Sequence, residues 1–201
     1  MSQRAFPPDV HPESGCRLPP PRREDMDPAA RKIYDYYVDP KGGSLAGLWG
    51  PGGIKLHSPR VSEYTRDLGR YLRHEAGIAP PIRELAILVA AREMDSQFEW
   101  VAHEPHALEV GLPPGIIDVV KHRKALDSVP ETEAAVIRFG RELFGRRRVA
   151  PETFARALRL FGERRLVDLV VLMANYTATA ALLNAFDMQL RPGKEPLLPV
   201  E

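Results

Sequence analysis

The stretch that decides the fold is residues 83–104, RELAILVAAREMDSQFEWVAHE, where three ionisable side chains, Glu84, Glu99 and His103, interrupt an otherwise apolar helical pattern. At about 100° per residue on an α-helix, Ser96, Glu99 and His103 fall within roughly 60° of one face. Glu99 and His103 are four residues apart, so their side chains lie one turn apart and can interact. The stretch therefore predicts a buried acid-base site carried on helices.

The amino-acid composition limits the number of domains and the classes of binding partner. The 201 residues are 44% hydrophobic and 27% charged, which is enough apolar sequence for one globular domain with a sizeable core. Lys and Arg total 28 against 27 Asp and Glu, a formal net charge of +1. This balance supplies no broad basic surface of the kind that binds nucleic acid or an anionic membrane. We therefore expect neither as a partner, and a small molecule as the substrate.

Three features bear on the compartment. Cys16 is the single cysteine, so an intramolecular disulfide is excluded and a reducing environment is favoured. No apolar run is expected to reach the roughly 18 residues that span a bilayer. The first residues, MSQRAFPPDVHPESG, lack the apolar centre of a signal peptide. Together these features predict a cytoplasmic protein.

Helical periodicity dominates the chain after residue 58, and no segment alternates as a β-strand does. Caps and prolines mark the points where helices start. The predicted starts are Asp27-Pro28, Ser58-Pro59, Pro81, Asp95-Ser96, Pro113-Pro114, Pro130-Glu131 and Pro151, with a final long helix over roughly 163–186. The predicted fold class is all-α, and the nearly all-apolar residues 85–91 predict a helix buried on every side.

Pro105 lies inside the helix that carries Glu99 and His103. A proline there removes a backbone donor and crowds the carbonyl one turn back, so we expect a kink just beyond His103. Helical rotation alone therefore does not place His106.

Three segments divide the chain. Residues 1–25 are rich in proline and without periodicity, which predicts an extended N-terminal arm. Residues 26–192 form the predicted helical domain, and residues 193–201 form a C-terminal tail. Within the domain, residues 44–58, SLAGLWGPGGIKLHS, are too apolar for a solvated linker. We expect this connection to fold over a pocket or to pack in a subunit contact.

Several of these motifs together resemble the carboxymuconolactone decarboxylase family, whose other branch is the AhpD-like alkylhydroperoxidases. The residues that carry the resemblance are Arg83-Glu84-Leu85, Ser96-x-x-Glu99-x-x-x-His103, Ala107 to Gly111-Leu112, the upstream GPGGIKLHSP and the closing YTATAALLNAFDMQL. The match covers about residues 45–190. It implies an all-helical AhpD-like bundle that assembles as a trimer or hexamer, and a role of the kind that the decarboxylases have in the breakdown of aromatic compounds.

The chain departs from the peroxidase branch at the motif itself. That branch has Cys-x-x-Cys-x-x-x-His, whereas this chain has Ser96 and Glu99 at the two cysteine positions. A dithiol peroxidase needs a thiolate and a resolving thiol, and neither a hydroxyl nor a carboxylate forms a sulfenic acid or a disulfide. The decarboxylase branch is closer, because it also places a glutamate four residues before the histidine. The C-terminal end differs from that of the authentic lactone decarboxylase, so the substrate stays open.

Glu99 and His103 have the side chains that a decarboxylase or isomerase needs. Loss of carbon dioxide, or the shift of a double bond, leaves a carbanion that a positioned acid must protonate. A histidine held by a carboxylate suits this near neutral pH, because the ordinary pKa of an imidazole is about 6.5. By analogy with the proton relay of the peroxidase branch, Glu84 orients His103 or acts as the base. We therefore predict general acid-base catalysis by Glu84, Glu99 and His103 on a small carboxylated or lactone-like metabolite, without a cofactor.

Other interpretations remain open on the sequence. A Glu and a His at i, i+4 also form ordinary surface ion pairs worth only tenths of a kcal/mol. The chain could be a non-catalytic helical oligomer that binds a small ligand, or a peroxidase-related protein without the redox cysteines. Glu84, Glu99, His103 and His106 could be metal ligands, but the ExxxH spacing differs from the Glu-x-x-His of helical di-metal sites. We therefore predict no metal.

Five further residues are candidates for contacting the substrate. They are His57, at the end of the apolar connection, together with Trp49, Trp100, His106 and Tyr176. For the aromatic residues the alternative is a place in the core, which is the commoner fate of aromatics at helical positions. For His57 the alternative is a helix-entry position.

Overall fold

The computed structural model describes residues 6–40 and 44–199. Over this part of the chain the secondary structure is helical and no strand is present, which confirms the all-α prediction. The helices are α1 (Pro28–Val38), α2 (Pro51–Lys55), α3 (Pro59–Arg70), α4 (Pro80–Glu93), α5 (Gln97–Glu109), α6 (Pro114–Lys121), α7 (Glu131–Gly140) and α8 (Pro151–Ala185). A 3-10 turn covers Arg23–Asp25, and π-helical turns at Tyr71–Glu75 and Arg141–Gly145 extend α3 and α7.

The predicted helix starts agree with the observed ones to within a residue. Asp27 caps α1, and its carboxylate accepts hydrogen bonds from the backbone N–H groups of Ala29 at 2.9 Å and Ala30 at 2.8 Å. Proline occupies the first turn of α1, α2, α4 and α6, where its fixed φ suits the helix and its missing N–H leaves no bond unmade. The starts were predictable because the signals lie within one turn of the boundary.

The connection over residues 44–58 contains a helix that periodicity did not predict. Two glycines and a proline in α2 are poor helix formers, so the sequence suggested a loop. Gly53 is required there, because a Cβ on it would lie 2.1 Å from the carbonyl oxygen of Leu48. The glycines therefore permit a close backbone approach that buries Gly52, Gly53 and Ile54.

The chain forms two compact units, which are described separately. The first comprises residues 1–68 and 181–196, and the second comprises residues 69–180 and 197–201. In the first unit the described part of the N-terminal arm is folded into turns that bury Val10 and Cys16. The arm also bonds to the segment after α8, because the N–H of Arg17 donates to Phe186 O at 2.9 Å and that of Gln189 donates to Gly15 O at 2.8 Å.

The second unit is built around α4. Every residue from Arg83 to Arg92 is buried, which confirms the prediction of a helix covered on all sides. Side chains from α5, α6, α7 and α8 complete the core around it; among them are Trp100, Ile117, Ile137 and Met173. The two polar residues at the start of this helix, Arg83 and Glu84, are therefore inside the protein with the apolar ones.

The last helix is divided in two by one residue. Gly162 has φ 70° and ψ 167°, which separates the segment that starts at Pro151 from the one predicted over roughly 163–186. By length and composition α8 meets the requirement for a membrane span, with a mean hydropathy of 1.7 over its most apolar window. The expectation that no apolar stretch is long enough is therefore wrong for this helix. Leu169, Leu172 and Met173 are buried in the core cluster, as in the core helix of a globular protein.

Candidate functional site

The second unit brings together the three predicted catalytic side chains. Glu84 comes from α4, and Glu99 and His103 come from consecutive turns of α5. Their side chains are 2%, 5% and 7% exposed. Burial at this level removes the alternative of a solvated surface pair, for which the interaction energy is small.

The imidazole of His103 lies between the two carboxylates. Its Nδ1 is 2.8 Å from Oε2 of Glu84, a hydrogen-bonding distance. Its Nε2 is 3.5 Å from Oε2 of Glu99. Both ring nitrogens therefore face an acid, and the ring is held by the shorter of the two contacts.

Glu84 is the carboxylate that holds its negative charge. Burial alone would raise its pKa, but hydrogen bonds and charges from His103 and Arg83 outweigh burial and hold the pKa below its usual value. Arg83 Nε donates to Oε1 of Glu84 at 3.0 Å, while Oε2 accepts from His103. Because an ionised carboxylate is an acceptor only, Nδ1 of His103 carries a hydrogen and donates it.

This assignment sets the state of the opposite edge of the ring. In the neutral imidazole with Nδ1 protonated, Nε2 is an acceptor, and it would face the oxygen lone pairs of an ionised Glu99. The Nε2–Oε2 contact becomes attractive when one proton resides on either partner, as imidazolium with carboxylate or as imidazole with carboxylic acid. The edge between His103 and Glu99 is therefore suited to hold one proton that can be given to or taken from a neighbouring molecule.

Tyr176 of α8 packs against the same ring. The two ring centroids are 5.1 Å apart and the planes are perpendicular, which is the edge-to-face geometry that aromatic rings prefer. Burial raises the pKa of the Tyr176 hydroxyl above its usual range, although the nearby Arg73 guanidinium opposes the shift. Tyr176 is thus a neutral phenol that fixes the orientation of His103.

His106 also reaches this cluster, although Pro105 precedes it. The α5 helix runs from Gln97 to Glu109 with Pro105 inside it. His106 Nε2 is 3.8 Å from Oε1 of Glu84, and its Nδ1 is 3.2 Å from Oε2 of Glu109. Its side chain is 32% exposed, so His106 lies between the buried carboxylate and solvent.

The other three substrate-binding candidates have partners of their own. Trp100 is fully buried in the core cluster, and its Nε1 donates to Oε2 of Glu104 at 2.5 Å. Trp49 and His57 belong to the first unit. There, Trp49 Nε1 donates to Gln189 O at 2.9 Å, and Nε2 of the exposed His57 is 3.0 Å from Pro19 O.

Ser96 departs from the capping role that its position predicts. It is the N-cap residue of α5, yet its side chain makes no capping hydrogen bond. Its hydroxyl oxygen is buried and has no hydrogen-bond partner within the described part of the chain. A buried polar atom without a partner is costly, and the explanations for one in a native structure include a catalytic role and a bound water or ion.

Two arginines that sequence reasoning did not assign to the site support it. Arg83 binds Glu84 through Nε, and its Nη1 donates to the backbone carbonyl of Arg73 at 2.6 Å. Arg73 belongs to the π-helical turn Tyr71–Glu75, and such turns are frequent at functional sites. The adjacency of Arg83 to Glu84 was visible in the sequence, whereas the π-helical turn has no sequence signal that we recognise.

Metal binding was the remaining alternative for the cluster. Over residues 6–40 and 44–199, no group of three or more His, Cys, Asp or Glu side chains is arranged so that it could hold a metal ion. The arrangement around His103 is instead one imidazole with a carboxylate at each nitrogen. It can orient the ring, keep one carboxylate ionised and exchange a single proton.

No protein-family model and no curated protein matches the sequence. Among solved structures, the chain is similar to a protein of unknown function from Agrobacterium tumefaciens, described as a candidate antioxidant defence protein AhpD. The TM-score is 0.60 at 17% sequence identity, over 73% of this chain and 96% of the other. The fold is therefore AhpD-like, as the resemblance in the motifs implied. At this sequence identity the similarity is evidence for the fold and not for the activity.

Proposed function

We propose that this protein is an enzyme of the carboxymuconolactone decarboxylase type, which uses general acid-base chemistry on a small carboxylated or lactone-like metabolite. The observation that carries the proposal is the buried imidazole of His103, held at Nδ1 by Glu84 and facing Glu99 across Nε2. A purely structural histidine in a core needs one partner for each nitrogen, but it does not need two acids competing for one proton.

Each residue of the cluster has a distinct role in the proposal. Glu84, ionised and bonded to Arg83, holds His103 in the tautomer that carries the Nδ1 hydrogen. When carbon dioxide leaves, the electron pair of the broken C–C bond passes to the neighbouring carbon. The proton at the edge between His103 and Glu99 then forms the new C–H bond. In an isomerisation, the same edge takes a proton from one carbon and returns it to another.

Thiol peroxidase activity is not part of the proposal, although the similar Agrobacterium tumefaciens structure is described in terms of antioxidant defence. Ser96 and Glu99 occupy the positions of the two redox cysteines in the motif. The single cysteine, Cys16, is buried in the first unit, where its Sγ is 3.5 Å from Leu18 O. The chain therefore has one thiol and no second cysteine that could resolve a sulfenic acid.

We further propose that the protein is cytoplasmic, needs no cofactor and works as a homo-oligomer with a small-molecule substrate. The near-neutral charge balance and the single cysteine support this setting.

The direct test is a screen of the purified protein against small unsaturated acids and lactones. Carbon dioxide release reports decarboxylation, and incorporation of deuterium from heavy water into recovered substrate reports proton transfer at carbon. We expect activity that falls by about 10² or more in Glu99→Gln, because the proton-exchanging edge is lost. His122→Gln is the control, since that histidine follows α6 as its C-cap residue, is exposed and forms an ion pair with Asp118. Absence of both signals over the whole screen would favour a ligand-binding protein instead.

A further inference from the structure

The N-terminus of α5 combines two features that point to a bound oxygen atom. The first N–H groups of any α-helix have no acceptor within the helix, and an N-cap side chain ordinarily accepts from one of them. Ser96 holds the N-cap position but does not do so. Ser96 is 1% exposed, and its hydroxyl has no hydrogen-bond partner in the described part of the chain.

The position of Ser96 relates this end of the helix to the acid-base cluster. Ser96 is the N-cap residue of the helix that carries Glu99 and His103. It precedes Glu99 by three residues, which corresponds to about 4.5 Å along the helix axis. A planar molecule of a few carbon atoms spans that separation. An oxygen at Ser96 and a carbon beside Glu99 and His103 can therefore belong to one substrate.

We infer that the Ser96 hydroxyl and the N–H groups of the first turn of α5 form an oxyanion site, which binds the substrate oxygen that becomes negative during catalysis. The ligand class is a 3-oxo carboxylate, or a lactone whose carbonyl group stands in the same relation to the carboxylate, because loss of carbon dioxide then leaves the negative charge on an enolate oxygen. The inference rests on the proposed function for the identity of the reaction, while the site itself can be tested by binding alone.

The chemistry of the step requires such a site. When the C–C bond to the leaving carboxylate breaks, its electron pair enters the adjacent carbonyl system and the oxygen becomes an enolate. A proton from the edge between His103 and Glu99 then adds to the carbon, the electron pair returns from oxygen, and the carbonyl is restored. Donors aimed at an oxyanion in a buried site are among the largest contributions to catalysis, typically about 10² to 10³ in kcat for one donor.

The local charges permit an anion at this position. The helix N-terminus supplies the equivalent of about half a positive charge. Glu99 lies in the first turn, but its contact with Nε2 of His103 is attractive when the pair holds one proton, and the pair is then neutral overall. The hydroxyl adds a donor that rotates toward the oxygen without displacing another bond, because Ser96 Oγ has no other described partner.

Oxalate is the probe for this site, because it is a small dianion whose carboxylate oxygens stand in for the negatively charged enolate oxygen. We expect it to bind the wild-type protein, with shifts of the backbone amide signals of Gln97 and Phe98 in NMR spectra and heat in titration calorimetry. Ser96→Ala removes the donor and should weaken oxalate binding about 10-fold or more. Its melting temperature should not fall, because the lost hydroxyl makes no bond in the free protein.

Two further variants keep the test decisive. Ser96→Gly also lacks the hydroxyl and is tolerated at N-cap positions, so it should repeat the loss of binding if the alanine variant folds poorly. Thr179→Val removes another buried hydroxyl of the second unit, which already donates to Asn175 O at 2.9 Å, and should leave oxalate binding unchanged. Failure of oxalate to bind wild type, or equal affinity in Ser96→Ala, would overturn the inference and leave Ser96 as the site of a bound water.

The outcome separates this inference from the proposed function. If oxalate binding depends on Ser96 but the protein shows no turnover, the oxyanion site is supported and the proposed enzymatic function is refuted. If turnover is the same in wild type and Ser96→Ala, the proposed enzymatic function is supported and the oxyanion site is refuted.

Discussion

At the scale of single residues, the site is an arrangement of charges around one imidazole. Glu84 is held ionised by Arg83 and His103, and Glu99 faces the other ring nitrogen. The two carboxylates have the same chemistry but different partners, and the difference in partners divides their roles. Glu84 orients and Glu99 shares a proton.

Replacing His103 with Gln separates a catalytic from a structural role. The variant loses the group that transfers a proton, so turnover should fall by about 10² or more. Stability should change little, because Glu84 keeps the hydrogen bond from Arg83 and the glutamine amide can also donate to it. Steady-state kinetics and thermal melting on the same preparation check this. Full activity with a lowered melting temperature would show that the role of His103 is structural and not catalytic.

Replacing Glu84 with Gln tests the lowered pKa of Glu84 as a stability effect. A carboxyl whose pKa is lower in the folded than in the unfolded state stabilises the fold above its unfolded pKa, and this contribution is lost as pH falls through the folded pKa. At pH 7 the variant leaves Arg83 buried without its carboxylate, so it should be destabilised by about 3 kcal/mol. The difference from wild type should shrink in acid, below the ordinary range for a glutamate.

Urea unfolding at pH 7 and again in acid measures this difference. The groups that face Glu84 are Arg83, His103 and His106. Glu109→Gln, at the end of α5, is the control. Because that side chain is 73% exposed, its effect should stay within about 0.5 kcal/mol. A pH-independent gap between Glu84→Gln and wild type would contradict the assignment.

At the scale of helices, α4 and α7 approach each other closely at one glycine. Gly140 is the last residue of α7, and Val89 lies in the middle of α4. A Cβ on Gly140 would lie 2.3 Å from Cγ1 of Val89 and 3.6 Å from the terminal methyl carbon of Met173. The absence of a side chain at Gly140 is therefore what lets the two helices meet.

Gly140→Ala should destabilise the protein by about 1–3 kcal/mol, because overpacking outweighs the roughly 1 kcal/mol that alanine gains in helix propensity. Combining it with Val89→Ala should recover part of the loss, since the second substitution removes the clashing methyl group. Denaturant unfolding of both single variants and the double variant measures this coupling. Simple additivity of the two losses would mean that the Val89 methyl group is not what opposes the new Cβ.

At the scale of the whole molecule, apolar side chains that stay exposed suggest assembly. On α8, Phe154 is 48% exposed, Val167 is 61% exposed and Val171 is 37% exposed, the last two one turn apart. On α3, Val61 and Tyr64 are 48% and 60% exposed. Exposed apolar residues grouped along helices are typical of contact surfaces between subunits.

We therefore expect the protein in solution to be a homo-oligomer, with a mass by light scattering that is a multiple of 22.5 kDa at micromolar concentration. Val167→Glu should shift the equilibrium toward smaller species, because a charge is costly to bury in an apolar contact. Glu163→Gln, at an exposed position on the same helix, is the control. A wild-type mass near 22.5 kDa would refute the assembly.

The sequence by itself determined the helices other than α2, their starts and the composition of the core helix. These are local properties: a proline at the first turn, an N-cap aspartate and apolar periodicity act within a few residues of where they are read. The helical face shared by Glu99 and His103 was predictable for the same reason, because both residues belong to one regular element.

The tertiary structure alone decided which groups meet across elements. Glu84 is 19 residues from His103 along the chain, and only the packing of α4 on α5 brings its carboxylate to 2.8 Å from Nδ1. The contact of His106 with Glu84 and the unpartnered hydroxyl of Ser96 likewise depend on neighbours from other elements or on their absence. Local sequence cannot encode these distances, because each is set by how buried surfaces fit together.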